Sequence, residues 1–383
     1  MKYHFRKYKK LYNGLFYFIV LTAIFGYGLI AGRFHLFPYM LINKLIKPTA
    51  LYDYYEKIDP MIANVDVLSL ISIKTENDVH KKRNDLIQYI WKDKGFPRTK
   101  MPRSIKEDYK DNNFSGLDNL KSIDRVEVLM AYGLNSVIYH FHPIKSNNKL
   151  VIYHQGHAGD FFEGKDTIGF FLDEGYSVLA FSMPLSGLNN KPTVNLPKWG
   201  PLTLSGHEQL KFLQSADFSE ISFFVEPLAA VLNYIEKKYN YDFVSMIGIS
   251  GGGWTTTLYS ALDIRVKYSY PVASSTPLYI AFNSSRDYGH HETTKPELYR
   301  IANYLELYIL GSFGVGRRRL QVVNKYDACC HGGIKYKTYK DVVKNVVSQL
   351  GKGSYDLLLD ETHKEHKISE YTLQKIVKEL NEK

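Results

Sequence analysis

Residues 243–262 read FVSMIGISGGGWTTTLYSAL. Phe243–Ile247 is a short apolar run with the character of a buried strand, and the stretch from Trp254 to Ala261 predicts a helix. Between them lies Gly248-Ile249-Ser250-Gly251-Gly252, a serine on a sharp strand-to-helix turn. Such a turn forces the serine backbone into a strained conformation, and the flanking glycines permit close packing. It lifts the hydroxyl out of the sheet and aims the next backbone N–H, that of Gly251, at the same point. Ser250 is therefore the candidate nucleophile. The competing reading is a glycine-rich turn whose serine caps the following helix.

Outward from this turn, segments of strand and helix character alternate. Strands are predicted at 125–131 and 134–142, as a hairpin about Tyr132-Gly133, and at 150–154, 176–181, 266–273, 320–324 and 355–359. Helices are predicted at 76–92, 224–239 and 369–380, the last capped by Ser369. Alternation of this kind implies right-handed crossovers and a mostly parallel sheet with helices on both faces. Two irregular insertions, near 183–217 and 275–312, interrupt the pattern.

A parallel sheet gathers its site at the carboxyl ends of its strands, and three loops there are expected to meet Ser250. The first, His154-Gln155-Gly156-His157-Ala158-Gly159-Asp160, is rich in small residues, so its backbone can approach a reacting carbonyl. Gly156 and His157 are the candidates for the second oxyanion donor beside Gly251. The His154, His157 and Asp160 spacing fits no common metal signature, and no metal is expected. The second loop carries Asp327, placed to orient a histidine, although turns favour aspartate for local reasons too. The third, 360–369, holds His363 and His366. His366, nearer the Ser369 cap, is the preferred general base and His363 the fallback; Asp360 is an alternative acid that follows the same strand as the base.

The order Ser250, Asp327, His366, each at a strand end, resembles that of the α/β-hydrolases. Gly248–Gly252 is similar to their nucleophile elbow, His154–Gly159 to their oxyanion loop. The likeness spans about residue 125 to the C-terminus and lies nearest the acetyl-xylan-esterase-like and prolyl-oligopeptidase-like branches. The glycine run of one lipase type is missing at 154–157. The resemblance implies an α/β-hydrolase catalytic domain over 125–383 and acyl transfer to water through a serine triad. No metal or organic cofactor is implied, and the substrate class is a small-molecule or carbohydrate ester. The alternatives are a serine peptidase on the same triad, or a non-catalytic binding protein that keeps the fold.

The N-terminus has a different character. Gly14–Gly32 carries no charged residue, about the length that spans a bilayer. Lys2, Arg6, Lys7, Lys9 and Lys10 precede it. This predicts a basic cytoplasmic segment (1–12), an uncleaved transmembrane anchor (13–32) and an extracytoplasmic catalytic domain. Residues 33–124 are expected to be a juxtamembrane and helical extension. Residues 1–47 hold eight Lys/Arg and no Asp/Glu, so of the net charge of +10 only 10 − 8 = +2 belongs to the rest. The basic balance therefore sits in the N-terminal segment, and no nucleic-acid partner is implied. Cys329 and Cys330 are adjacent, too few for a disulfide framework, and are expected to be buried thiols.

Overall fold

Leu150–His154 (β4) and Ser177–Phe181 (β5) are fully buried five-residue strands, which only a sheet covered on both faces accommodates. In the computed structural model, which describes residues 2–34, 53–283 and 289–382, they lie inside a nine-stranded sheet. The other strands are Ser104–Lys106 (β1), Leu120–Leu129 (β2), Asn135–Pro143 (β3), Val244–Ile249 (β8), Val266–Val272 (β9), Arg318–Asn324 (β10) and Ser354–Asp360 (β11), while Thr193–Leu196 (β6) and Gly200–Thr203 (β7) form a separate hairpin. The order is β1-β2-β3-β5-β4-β8-β9-β10-β11. The pairs from β5 to β11 are parallel, and those from β1 to β3 and on to β5 are antiparallel. The sheet thus starts ahead of Arg125, in β1 and the first residues of β2. Those strands are short or mostly polar outward, so their period was weak in the sequence.

The strands bury alternate residues against different helices. Leu150, Ile152 and Leu179 join a core with Glu76–Trp91 (α2), Ser222–Lys238 (α4), Gly251–Leu262 (α5), Tyr304–Ser312 (α6) and Lys340–Gln349 (α7). Val151, Tyr153 and Val178 join a second core with Lys165–Asp173 (α3) and Glu370–Asn381 (α8). The predicted helix at 76–92 is integral to the first core: Val79, Leu86 and Ile90 are buried. Its Arg83 guanidinium donates to the carbonyls of Ala261 (2.8 Å) and Leu310 (3.0 Å), satisfying the buried charge.

The chain divides into two units, Met1–Lys57 and Ile58–Lys383. The first contains helix α1, Lys2–Phe34, whose described side chains such as Leu15, Phe18 and Phe25 are exposed. Among the described residues, however, no helix is long and apolar enough to cross a membrane. The anchor predicted at 13–32 is therefore not supported. Of the juxtamembrane extension expected at 33–124, residues 35–52 lie outside the described residues.

Candidate active site

Ser250 stands between β8 and α5 with φ +55° and ψ −125°. A non-glycine residue in that region costs on the order of 1–3 kcal/mol. The turn is held on both sides: the Ser250 N–H donates to the Val272 carbonyl (3.0 Å), and the Ser250 carbonyl accepts from the Trp254 N–H (2.9 Å). Helix α5 is buried over its whole length, which fixes the serine at its N-terminus.

The parallel pairing of β10 with β11 sets Asn324 beside Asp360, so the two following loops leave the sheet at one end. They are tied together by Ala328 N–H to the Lys364 carbonyl (3.1 Å) and Asn324 Nδ2 to the Lys367 carbonyl (2.8 Å). This brings Asp327 Oδ2 to 2.7 Å from His366 Nδ1. An ionised carboxylate only accepts, so Nδ1 carries the proton and Nε2 of the neutral ring keeps its lone pair. His366 Nε2 is buried and has no hydrogen-bond partner among the described residues. Asp327 is itself fully buried, and its Oδ1 accepts the Cys329 N–H (2.8 Å). Burial pulls the His366 pKa down, but the hydrogen bond and charge of Asp327 outweigh it, with a smaller contribution from Cys329, and the net shift is upward.

The fallback base and the alternative acid sit apart from Asp327 and His366. Asp360 accepts from the Thr362 N–H (2.9 Å), the Thr362 hydroxyl (2.6 Å), the Thr372 hydroxyl (2.8 Å) and the Ser369 hydroxyl. It fastens the start of α8 rather than a catalytic base. His363 lies 3.5 Å from Asp360 and 3.7 Å from Glu365, away from Asp327.

Ser250 and His366 line one cleft of about 370 Å³, together with Tyr153, Gln155, Gly156 and Ile368. Gly156 touches the serine directly. A Cβ at Gly156 would sit 2.6 Å from Ser250 Cβ, 2.7 Å from the Ile249 carbonyl oxygen and 3.3 Å from Ser250 Oγ. Only glycine permits that approach. Gly156→Ala is accordingly expected to lower kcat/KM by about 100-fold, the cost of misplacing a reacting group by ~1 Å. An unchanged value would show that the loop does not bear on the serine. Gly252 has the same reason for being glycine, since a Cβ there would meet the His154 carbonyl oxygen at 2.0 Å.

His157 is placed by its side chain as well as by the loop. Its Nε2 is 2.8 Å from Glu292 Oε1, and its ring packs over Gly251, where a Cβ would come within 2.4 Å of Cε1. His154 does not join it. Its Nδ1 meets the Gln155 carbonyl (2.9 Å), its ring stacks on Phe181, and burial lowers its pKa to about 4. Asp160 caps the next turn through the Phe162 N–H (2.8 Å). The two cysteines differ from expectation: Cys329 is exposed and Cys330 half-buried, because the loop that holds Asp327 turns them outward.

From the sequence, Trp199, Tyr279, Phe282 and Tyr288 of the insertions are expected either to line a substrate pocket or to pack a satellite core. Trp199 is exposed and packs edge-to-face on Phe212, and Tyr279 hydrogen-bonds Thr338 (2.7 Å). Phe282 is exposed. None of these three lines the cleft of Ser250, and Tyr288 lies outside the described residues. What the insertions bring toward the oxyanion loop is polar: His207 and Glu208 from one, His290, His291 and Glu292 from the other. Sequence reasoning missed these. The only signals were the adjacent pairs His207-Glu208 and His291-Glu292 inside segments read as irregular.

No family model matches the chain, and no curated protein is similar to it in sequence. Solved structures are similar. Acetyl xylan esterase 1 from Thermoanaerobacterium sp. JW/SL YS485 matches with a TM-score of 0.52 at 13% identity, over 82% of this chain and 97% of that one. The methylesterase BT1017 matches with a TM-score of 0.52 at 15% identity, over 83% of this chain and 66% of that one. At such identities the likeness is one of fold, and the fold is that of the α/β-hydrolases.

Proposed function

We propose that this chain is a serine hydrolase that cleaves carboxylic esters, with acyl groups carried on carbohydrate as its substrate class. The observation that carries the reading is the Asp327–His366 pair at 2.7 Å, whose Nε2 is unpartnered in the cleft that holds Ser250 on a strained turn. The fold likeness to an acetyl xylan esterase and a methylesterase supports the ester class.

In this reading His366 Nε2 takes the proton of the Ser250 hydroxyl, and Oγ attacks the ester carbonyl carbon. The negative charge that develops on the carbonyl oxygen is met by the Gly251 N–H and by the backbone of Gly156 or His157. One such donor is worth about 3–4 kcal/mol in comparable sites. His366 then passes its proton to the departing alcohol, leaving an acyl-enzyme. It next takes a proton from water, whose oxygen attacks the acyl carbon, and returns that proton to Ser250 Oγ as the C–Oγ bond breaks and the carboxylic acid leaves. Asp327 holds the ring in the required tautomer and stabilises the imidazolium.

The direct test is labelling with a fluorophosphonate probe, then turnover on a panel of acetylated sugars, simple esters and peptides. Labelling at Ser250 with ester turnover supports the reading. Cleavage of peptides without esters would overturn it in favour of a peptidase.

The pH dependence follows from His366. The base must be neutral, and its pKa is raised above the ordinary imidazole value. Activity is therefore expected to climb with pH through an ionisation above that value and to be low below it. Asp327→Asn removes what raises the pKa, so the acid limb should move to lower pH while kcat falls by about 10⁴-fold. A limb that stays in place in a pH profile of kcat/KM would mean that Asp327 does not govern His366.

A further inference from the structure

Three histidines from three separate segments meet beside the oxyanion loop. His157 comes from that loop, His207 from the first insertion and His290 from the second. Their ring centroids lie 3.9–4.7 Å apart. One ring nitrogen of each falls within 4.8 Å of the others. Two carboxylates border the group: Glu292 reaches His157 (2.8 Å), and Glu208 reaches His290 (3.1 Å).

The carboxylate of Glu292 is fully buried; its Oε2 accepts no hydrogen bond among the described residues and lies 3.2 Å from His291 Nδ1, and the buried Nε2 of His207 likewise has no hydrogen-bond partner there, with Glu208 Oε1 3.9 Å away. Leaving such groups unsatisfied costs about 1–3 kcal/mol each. A folded chain gathers three imidazoles and a buried carboxylate at that cost where something satisfies them together.

We propose that His157, His207 and His290, with the charge of Glu292 beside them, form a binding site for a divalent transition metal of the zinc class. Three imidazole nitrogens and a carboxylate suit such an ion, whereas magnesium and calcium take oxygen ligands. Zinc–nitrogen bonds of about 2.0–2.1 Å in a tetrahedral site set the nitrogens about 3.4 Å apart, so from a spacing within 4.8 Å the rings close by up to about 1.4 Å on binding. The site clamps both insertions to the loop that supplies Gly156 and His157. Bound metal would thereby fix the oxyanion backbone and the rim of the cleft without touching the substrate. No metal was expected at 154–160 from spacing alone, because two of the three ligands lie far off in the chain.

The test uses the full chain, stripped with a chelator, loaded with zinc alone and desalted. About one zinc per chain is expected by elemental analysis, and X-ray absorption should place nitrogen or oxygen at about 2.0–2.1 Å around it. His207→Gln and His290→Gln should each weaken zinc binding by more than about 100-fold, beyond the 10–100-fold range of outer-shell partners. Their melting curves in chelator should match the parent. The paired change Cys329→Ser with Cys330→Ser should retain the zinc. Failure of the parent chain to retain zinc would overturn the site. So would sulfur at about 2.3 Å in the absorption spectrum, which would move the metal to the cysteine pair beside His366.

Discussion

Ser250→Ala is expected to abolish fluorophosphonate labelling and to lower ester turnover by about 10⁶-fold, the scale on which a triad fails when its nucleophile is lost. The fold should survive. The hydroxyl is not part of the turn's hydrogen bonding, which runs through the Ser250 N–H to Val272 and the Ser250 carbonyl to Trp254. Alanine also meets the same φ of +55° with the same Cβ as serine. A melting temperature close to the parent's, alongside the loss of activity, is therefore the full expectation. Labelling that persists at another serine would remove Ser250 from the mechanism.

His366→Ala should cost nearly as much, because serine and histidine act as one unit and the loss of either removes the proton transfer. His363→Ala should cost far less in turnover. The structural reason lies in the partners: His366 faces Asp327 at 2.7 Å, whereas His363 lies near Asp360, whose oxygens are taken by Thr362, Ser369 and Thr372. Parallel kcat measurements on the two variants decide between them. If the ranking reverses, His363 is the base and the 360–369 loop rearranges in solution.

The sequence made much of this site legible because its logic is local. A glycine-flanked serine after an apolar run, an aspartate after the next strand but one and a histidine before a capped helix each leave a mark within ten residues. The β4 and β8 strands are legible to within about two residues of their observed ends, since a strand buried on both faces has to be almost continuously apolar. The choice of His366 over His363 rested on nearness to Ser369, and the structure adds the reason that matters chemically: the loop-to-loop hydrogen bonds that carry Asp327 across to it. Whether the aromatic residues of the insertions line a pocket or pack a satellite core stays open in the sequence, because an exposed aromatic and a pocket aromatic look alike there. Burial alone separates Trp199 from a binding residue.

By itself the chain determined its alternation of strand and helix, the strained serine turn and the charge asymmetry of its first 47 residues, since each follows from side-chain period, backbone freedom or counting. Only the tertiary structure decided which helices belong to the core, that 76–91 seals one face through Arg83, and that His157, His207 and His290 meet. Those outcomes depend on contacts between residues tens to more than a hundred positions apart. Local propensity carries no record of such distances, and the free energy of burial settles them only once the sheet has brought the segments together.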